Sequence, residues 1–227
     1  MNAERQQYLG AELITEVEIL KNEAKLARDD ADYAGAIDAL REAIDLTSGW
    51  RQGLPAAGEL DETDRKIAWH LADCFGMLGG NYRRSGKVDE AIECFEQGRV
   101  YELDARFHVA SSYNTVNAIV APIEAGLRDA SSQSGALRAA IKMLEGQIFD
   151  PSTASRRLDR WAWADLGQAT LLLGDLEASR DAYRRFVELS DAASIKSSRD
   201  VLRSLHRSLV EKQDDKASVV EAGIAFL

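Results

Sequence analysis

Apolar residues recur at spacings of three and four along almost the whole chain, which is the period of an amphipathic helix. The first stripe is Leu13, Val17, Leu20, Ala24 and Ala27, predicting a helix from about Tyr8 to Arg28 that Asp29-Asp30 ends. Ala36, Ile37, Leu40, Ala43 and Ile44 predict a second, from Tyr33 to Thr47. Gly49, Gly53, Pro55 and Gly58 then read as a long loop over 48–61, with Trp50 and Leu54 expected to pin it to the body. Helices follow at Glu62–Arg84, capped by Asp61 or Thr63, and at Val88–Leu103 beyond the Ser85-Gly86 turn. The next is expected from Arg106 to Leu127, where Pro122 should kink it or detach its last turn. Further helices are predicted at Gly135–Phe149, from Asp150, Pro151 or Ser152 through Leu173, at Leu176–Leu189, at Ala193–Lys212 and in the apolar tail from Ser218. That is about nine or ten helices and no convincing strand.

Two segments share one side-chain pattern when their turn glycines are superposed. Around Gly86 the order is Phe75, Leu78, Gly79, Tyr82, Gly86, Ala91, Phe95 and Gly98. Around Gly174 it is Trp163, Leu166, Gly167, Thr170, Gly174, Ser179, Tyr183 and Phe186. The shared offsets define a unit of about 34 residues, a helix–turn–helix hairpin. Small residues at Gly79 and Ala91, and at Gly167 and Ser179, allow close approach of the two helices, large ones fill the space between hairpins, and glycine permits the tight turn. The pattern resembles the tetratricopeptide repeat, with Trp163-Ala164-Asp165-Leu166-Gly167 as its near-consensus copy and a degenerate earlier copy carried by Ala31, Ala36, Leu40 and Ala43. The resemblance implies an all-α, right-handed α-α superhelix of antiparallel hairpins. One domain is expected over 1–227, closed by capping helices over 193–227.

The segment between the two copies narrows the resemblance. Tyr113-x-x-Val116-Asn117-Ala118 and the later Leu172-Leu173-Gly174-Asp175 resemble the TPR-S family, related to the TRAF-binding region of apoptosis signal-regulating kinases. Membership would imply a sensing or adaptor module of bacterial signalling or defence, acting with an effector. It also admits an alternative, a sensor of a small nucleotide-like anion.

In such a superhelix the first helix of each hairpin lines the concave groove. The groove positions then fall on Asp73, Arg83 and Arg84 in one repeat and on Trp161 and Gln168 in the other, with Tyr113, Asn114 and Asn117 on the helix between. Arginine donates in a fork and tryptophan offers stacking area, so this set suits a carboxylate, a phosphate or an extended acidic peptide. Arg83-Arg84 also fit the bland role of completing a helix C-terminus, and Asn117 that of a satisfied buried amide. A chaperone-type carboxylate clamp is not supported: Lys21 and Lys25 occupy clamp-like positions, but Met77 stands where asparagine would be needed. A second basic candidate is the stripe Lys196, Arg199, Arg203 and Arg207, opposite Ile195, Leu202, Leu205 and Leu209. It would join Arg180, Arg184 and Arg185 if the last helices pack consecutively. Such a patch could dock the acidic half of another copy, so self-association is open.

Composition limits the chemistry. The chain of 227 residues carries 28 Lys+Arg against 38 Asp+Glu, a net charge of −10, which argues against general nucleic-acid binding. The charge is uneven: residues 1–113 hold 13 basic and 22 acidic side chains, and residues 114–227 hold 15 and 16. Two cysteines, Cys74 and Cys94, are too few for a disulfide scaffold. No apolar run reaches the ~20 residues of a membrane span, and the opening residues lack a signal-peptide pattern, so no membrane partner and a cytoplasmic location are expected. His70, His108 and His206 fall on three separate predicted helices. His70 and Cys74 stand at a spacing of four without a further ligand nearby, and no nucleophile elbow or phosphate loop occurs. No catalytic residue, metal or cofactor is therefore expected. The sequence reads as a non-catalytic scaffold or adaptor that binds a protein segment in its concave groove.

Overall fold

The computed structural model describes residues 3–54 and 58–227, with 3–9 and 152–154 described by backbone alone. Ten α-helices of eight residues or more, one six-residue helix and three 3-10 segments account for nearly all of them, with no strand among the described residues. The fold class is the all-α one that the spacing predicts. The chain forms two compact units, 1–109 and 110–227.

The first unit holds α1 (Ala3–Asp29), α2 (Tyr33–Leu46), α3 (Ser48–Gly53), α4 (Glu62–Arg84) and α5 (Val88–Leu103). Asp32 ends the α1–α2 turn and caps α2 by accepting the Gly35 N–H at 2.9 Å. Asp61 does the same for α4, accepting from the Asp64 N–H at 2.7 Å. The two hairpins, α1/α2 and α4/α5, stack through α2 and α1 against α4. Their shared core includes Ala24, Ala36, Leu40, Ala43, Ala68 and Leu71, each almost fully buried. At Gly79 the α4/α5 pair closes so tightly that an added Cβ would lie 2.7 Å from the Phe95 ring, the close approach expected of a small residue there. Within the expected loop 48–61, Ser48–Gly53 forms the short α3, and Trp50 pins it by donating from Nε1 to Asp64 at 2.6 Å. Pro55 lies outside the described residues.

The second unit holds α6 (Tyr113–Glu124), α7 (Ser134–Phe149), α8 (Arg160–Leu173), α9 (Leu176–Leu189), α10 (Ala192–Glu211) and α11 (Ala217–Ile224). Two expected boundaries move. The helix predicted from Arg106 to Leu127 is instead a 3-10 turn, Ala105–Phe107, and a separate α6, because His108 takes a left-handed φ of 52°. Pro122 stands in the last turn of α6, which ends two residues later. The helix predicted from about Asp150 is a 3-10 segment, Pro151–Leu158, before α8 starts at the Asp159 cap. The α8/α9 turn keeps its expected form: Gly174 has φ 88°, and the Asp175 N–H reaches back to the Thr170 carbonyl at 3.0 Å.

Consecutive packing fails between α9 and α10, whereas α10 and α11 do pack on each other. α10 lays Leu202, Leu205 and Leu209 into the core shared with Val116, Ile119, Val120 and Ile123 of α6, and Ser208 Oγ donates to the Ile123 carbonyl at 3.3 Å. α11 rests on α8 and α9, with Gly223 against Leu171. α6, enclosed by α7, α8 and α10, is buried at every residue from Asn114 to Ile123.

Candidate functional site

The groove candidates separate into buried and accessible groups. On α8, Trp161 remains 37% exposed, whereas Gln168 is 8% exposed and Leu171 and Leu172 are closed over. α11 covers part of this face, its Gly223 lying against Leu171. Asn114 and Asn117 are buried on α6, and Asn117 donates from Nδ2 to the Tyr113 carbonyl at 2.8 Å, a bond back along its own helix. Tyr113 is half-buried. On α4, Arg83 is half-buried and Arg84 exposed, with Arg84 Nη1 donating to the Gly80 carbonyl at 3.2 Å near the helix end.

Asp73 is half-buried and takes part in a polar cluster that joins α1 to α4. The Lys21 ammonium, almost wholly buried, donates to Asp73 at 2.6 Å and lies 3.2 Å from His70 Nδ1. It also sits 4.7 Å above the Trp69 ring. Glu18 lies at the other nitrogen of the imidazole, 3.6 Å from Nε2. Burial, then the Lys21 charge, holds the His70 pKa below its ordinary value. Cys74, one turn on from His70, is buried and its thiol is pushed up to about 12 by desolvation. Among the described residues no group of three or more His, Cys, Asp or Glu side chains is placed to hold a metal ion.

The residues expected to form a basic patch divide between α9, with Arg180 and Arg184, and α10, with Lys196, Arg199, Arg203 and Arg207. Lys196 and Arg203 both pair with Asp200 on their own helix, at 2.6 Å and 3.5 Å, and Arg184 pairs with Asp181 at 3.3 Å. Arg180 and Arg184 border a shallow pocket of about 280 Å³ completed by Val187, Glu188 and Phe226. Arg207 is exposed and Arg199 half-buried on α10, a helix that packs chiefly on α6 and α11 rather than on α9.

A buried polar node in the second unit escaped sequence reasoning. Ser112 Oγ donates to Asp165 at 2.6 Å and accepts from Arg156 Nη2 at 2.9 Å, while Arg156 also pairs with Asp159. Asp159 caps α8 by accepting from the Trp161 N–H at 2.9 Å. The signal was present: Asp165 interrupts an otherwise apolar face of Ala162, Leu166 and Ala169, and a buried carboxylate requires a donor. Tyr183, fully buried against Gly167, has its hydroxyl pKa raised by desolvation and by the nearby Asp165 charge.

The tetratricopeptide repeat family model matches residues 72–98 and 162–192. These spans fall on α4/α5 and α8/α9, the two hairpins with glycine-opened contacts at Gly79 and Gly167. Each of these two hairpins matches the tetratricopeptide repeat. Similar solved structures include BtubC from P. vanneervenii, at 17% identity and a TM-score of 0.46 over 100% of this chain and 91% of that one. A Podosopora anserina protein with nearly identical TPR-like repeats shares 13% identity at a TM-score of 0.46, covering 96% and 95%. The TPR2AB domain of yeast Sti1, solved as its pHSP90 complex, shares 15% at a TM-score of 0.31, covering 95% and 86%. No curated protein matches the chain in sequence. Among the described residues no helix is long and apolar enough to cross a membrane.

Proposed function

We propose that this tetratricopeptide protein is a non-catalytic scaffold that holds a segment of another protein. The observation that carries the reading is the pair of family-matched hairpins, α4/α5 and α8/α9, a repeat architecture whose stacked helices present extended binding surfaces. The accessible candidates are Asp73, Arg83 and Arg84 in the first unit and Tyr113 and Trp161 in the second, and each unit offers its own set to a partner. Asn114, Asn117 and Gln168 support from beneath, because their burial leaves them no surface for an incoming chain. The Tyr113–Ala118 motif, which forms the first half of α6, fits a relationship to the TPR-S family and hence an adaptor working with an effector protein.

Selection of a displayed random peptide library on the full-length chain tests the reading. Peptides should be enriched and should raise the melting temperature. A ligand present at 100 times its Kd adds about 2.7 kcal/mol. Nucleotides should leave the melt unchanged. Stabilisation by nucleotides with no peptide enriched would replace the scaffold with a small-anion sensor.

A further inference from the structure

α1 carries apolar side chains on two faces, where a helix packed on one side needs a single stripe. Val17 and Ala24 form the inner line and are almost wholly buried. Ile19 and Leu26 are 52% and 68% exposed. Seven residues make roughly two turns of helix, so Ile19 and Leu26 stand on one line along the axis. Each lies two residues beyond a buried one, about 200° round the helix, which sets this outer line nearly opposite Val17 and Ala24. The inner side meets α2 and α4.

The positions around the outer line repeat with the same period of seven. Thr15 and Asn22 complete a seam with Ile19 and Leu26, Glu16, Glu23 and Asp30 follow one flank, and Glu18 and Lys25 follow the other. In a seam of two helices the flanking charges decide which partner is accepted. Glu16, Glu23 and Asp30 are exposed, and among the described residues no cation pairs with them. Glu18 lies against His70, which leaves Lys25 as the flank's one cation. The surrounding unit has the same sign, since residues 1–113 hold 13 basic and 22 acidic side chains. Row and unit together favour a cationic partner. They oppose a nucleic acid and an anionic membrane surface, and a second copy would bring the same acidic row.

We propose that the outer face of α1 docks an amphipathic helix whose apolar stripe is flanked by lysine or arginine. This rests on the scaffold reading and names a partner chemistry for it, at a helix outside the candidate groove set. The partner's stripe covers Ile19 and Leu26, and its cations pair with Glu16, Glu23 and Asp30. Asn22, polar within the seam, fixes the register.

The test is binding of the full-length chain to a dye-labelled designed helix with leucine in its heptad seam and lysine beside it, read by fluorescence anisotropy. The same helix with glutamate for lysine, the same helix with alanine for leucine, and spermine as a free polycation are run beside it. The basic helix should bind, more weakly as salt rises, and the other probes should not. Ile19→Ala with Leu26→Ala, which keeps helix propensity, should weaken it about tenfold or more and leave the melting temperature in place. Glu16→Lys with Glu23→Lys should weaken it as far and admit the glutamate helix. Glu90→Lys with Glu93→Lys, the same change of charge at exposed sites of α5, should leave binding unchanged. Binding that survives both α1 variants, an equal loss from the α5 pair, equal binding by the alanine helix, or displacement by equimolar spermine would overturn this face. So would a dimer in sedimentation that the α1 variants dissolve. Failure with library peptides still enriched removes the α1 face and leaves the scaffold standing, whereas failure with none enriched removes both.

Discussion

The buried Lys21 ammonium donates to the Asp73 carboxylate at 2.6 Å across the α1–α4 contact, with 5% of the lysine side chain exposed and 41% of the aspartate. The asymmetry of exposure sets the outcome of breaking the pair. Removing the carboxylate leaves a cation in a site with little water, whereas removing the cation leaves a carboxylate that solvent can still reach. Asp73→Asn should therefore cost about 1–3 kcal/mol, at the lower end of or below buried-pair losses because water screens the open side. Lys21→Met, which keeps the length of the side chain but gives up the ammonium over Trp69 and beside His70, should cost about 1 kcal/mol. Urea unfolding of both variants checks the order; a larger loss for Lys21→Met would show that the ammonium's contacts with His70 and Trp69 outweigh the cost of a stranded charge.

His70 gives this contact a pH dependence. Its imidazole faces Lys21 and Glu18 from α1 and Asp73 on its own helix, and its pKa is depressed below 6.5 by burial first and by the Lys21 charge second. The unfolded chain therefore takes up the proton more readily than the folded one. The contribution is fully present above the unfolded value and is lost as pH falls from there through the lower folded value. The urea midpoint should drop as the pH is lowered through the unfolded value near 6.5 and on below it, and His70→Asn should flatten that part of the profile. An unchanged slope in the variant would assign the dependence to other groups.

Most of the fold was legible in the sequence because helix periodicity, caps and turn glycines are local signals. Asp32, Asp61, Asp175 and Asp191 all cap helices through their own carboxylates, and α4, α5 and α9 begin and end where the spacing places them. What was not legible is non-local. Nothing near Leu202, Leu205 and Leu209 in sequence says that their face meets α6 rather than α9. The same holds for Gly223 against Leu171, which closes part of the expected binding face. Lys21 was visible as a lysine at a groove position, but its partner lies 52 residues away, beyond any local pattern.

Glycines within helices should divide by what surrounds them. Gly146 lies inside α7 with nothing within 4 Å of an added Cβ, so Gly146→Ala gains helix propensity and should stabilise by about 0.5–1 kcal/mol. Gly79 has the Phe95 ring at 2.7–2.9 Å from that position. The same propensity gain is there offset by overpacking of about 1–3 kcal/mol, and Gly79→Ala should destabilise on balance. Thermal melts of the two variants should move in opposite directions.

Both thiols should be silent in the folded protein. Cys74 and Cys94 are buried and each is pushed up to about 12 by desolvation, so the reactive thiolate is scarce near neutrality. A thiol reagent at about pH 8 should label neither until urea unfolds the chain, and labelling should then track the unfolding transition. Fast labelling of Cys94 alone would mean that α5 opens locally before the rest.

The node around Ser112 offers the sharpest test of how α6 and α8 are joined. Its hydroxyl serves Asp165 and Arg156 at once, and the three side chains come from the lead into α6, the 3-10 segment and α8. Ser112→Ala removes both bonds, so that the buried Asp165 carboxylate and the Arg156 guanidinium each lose one of their partners, at about 1–3 kcal/mol. Asp165→Asn keeps an acceptor for the Ser112 hydroxyl but withdraws the charge opposite Arg156. If the three act as one network, the double variant should lose less than the sum of the singles, with a coupling of about 0.5–3 kcal/mol. Strict additivity in denaturant unfolding would mean that Ser112 and Asp165 are satisfied independently, and that α6 is held against α8 by apolar packing alone.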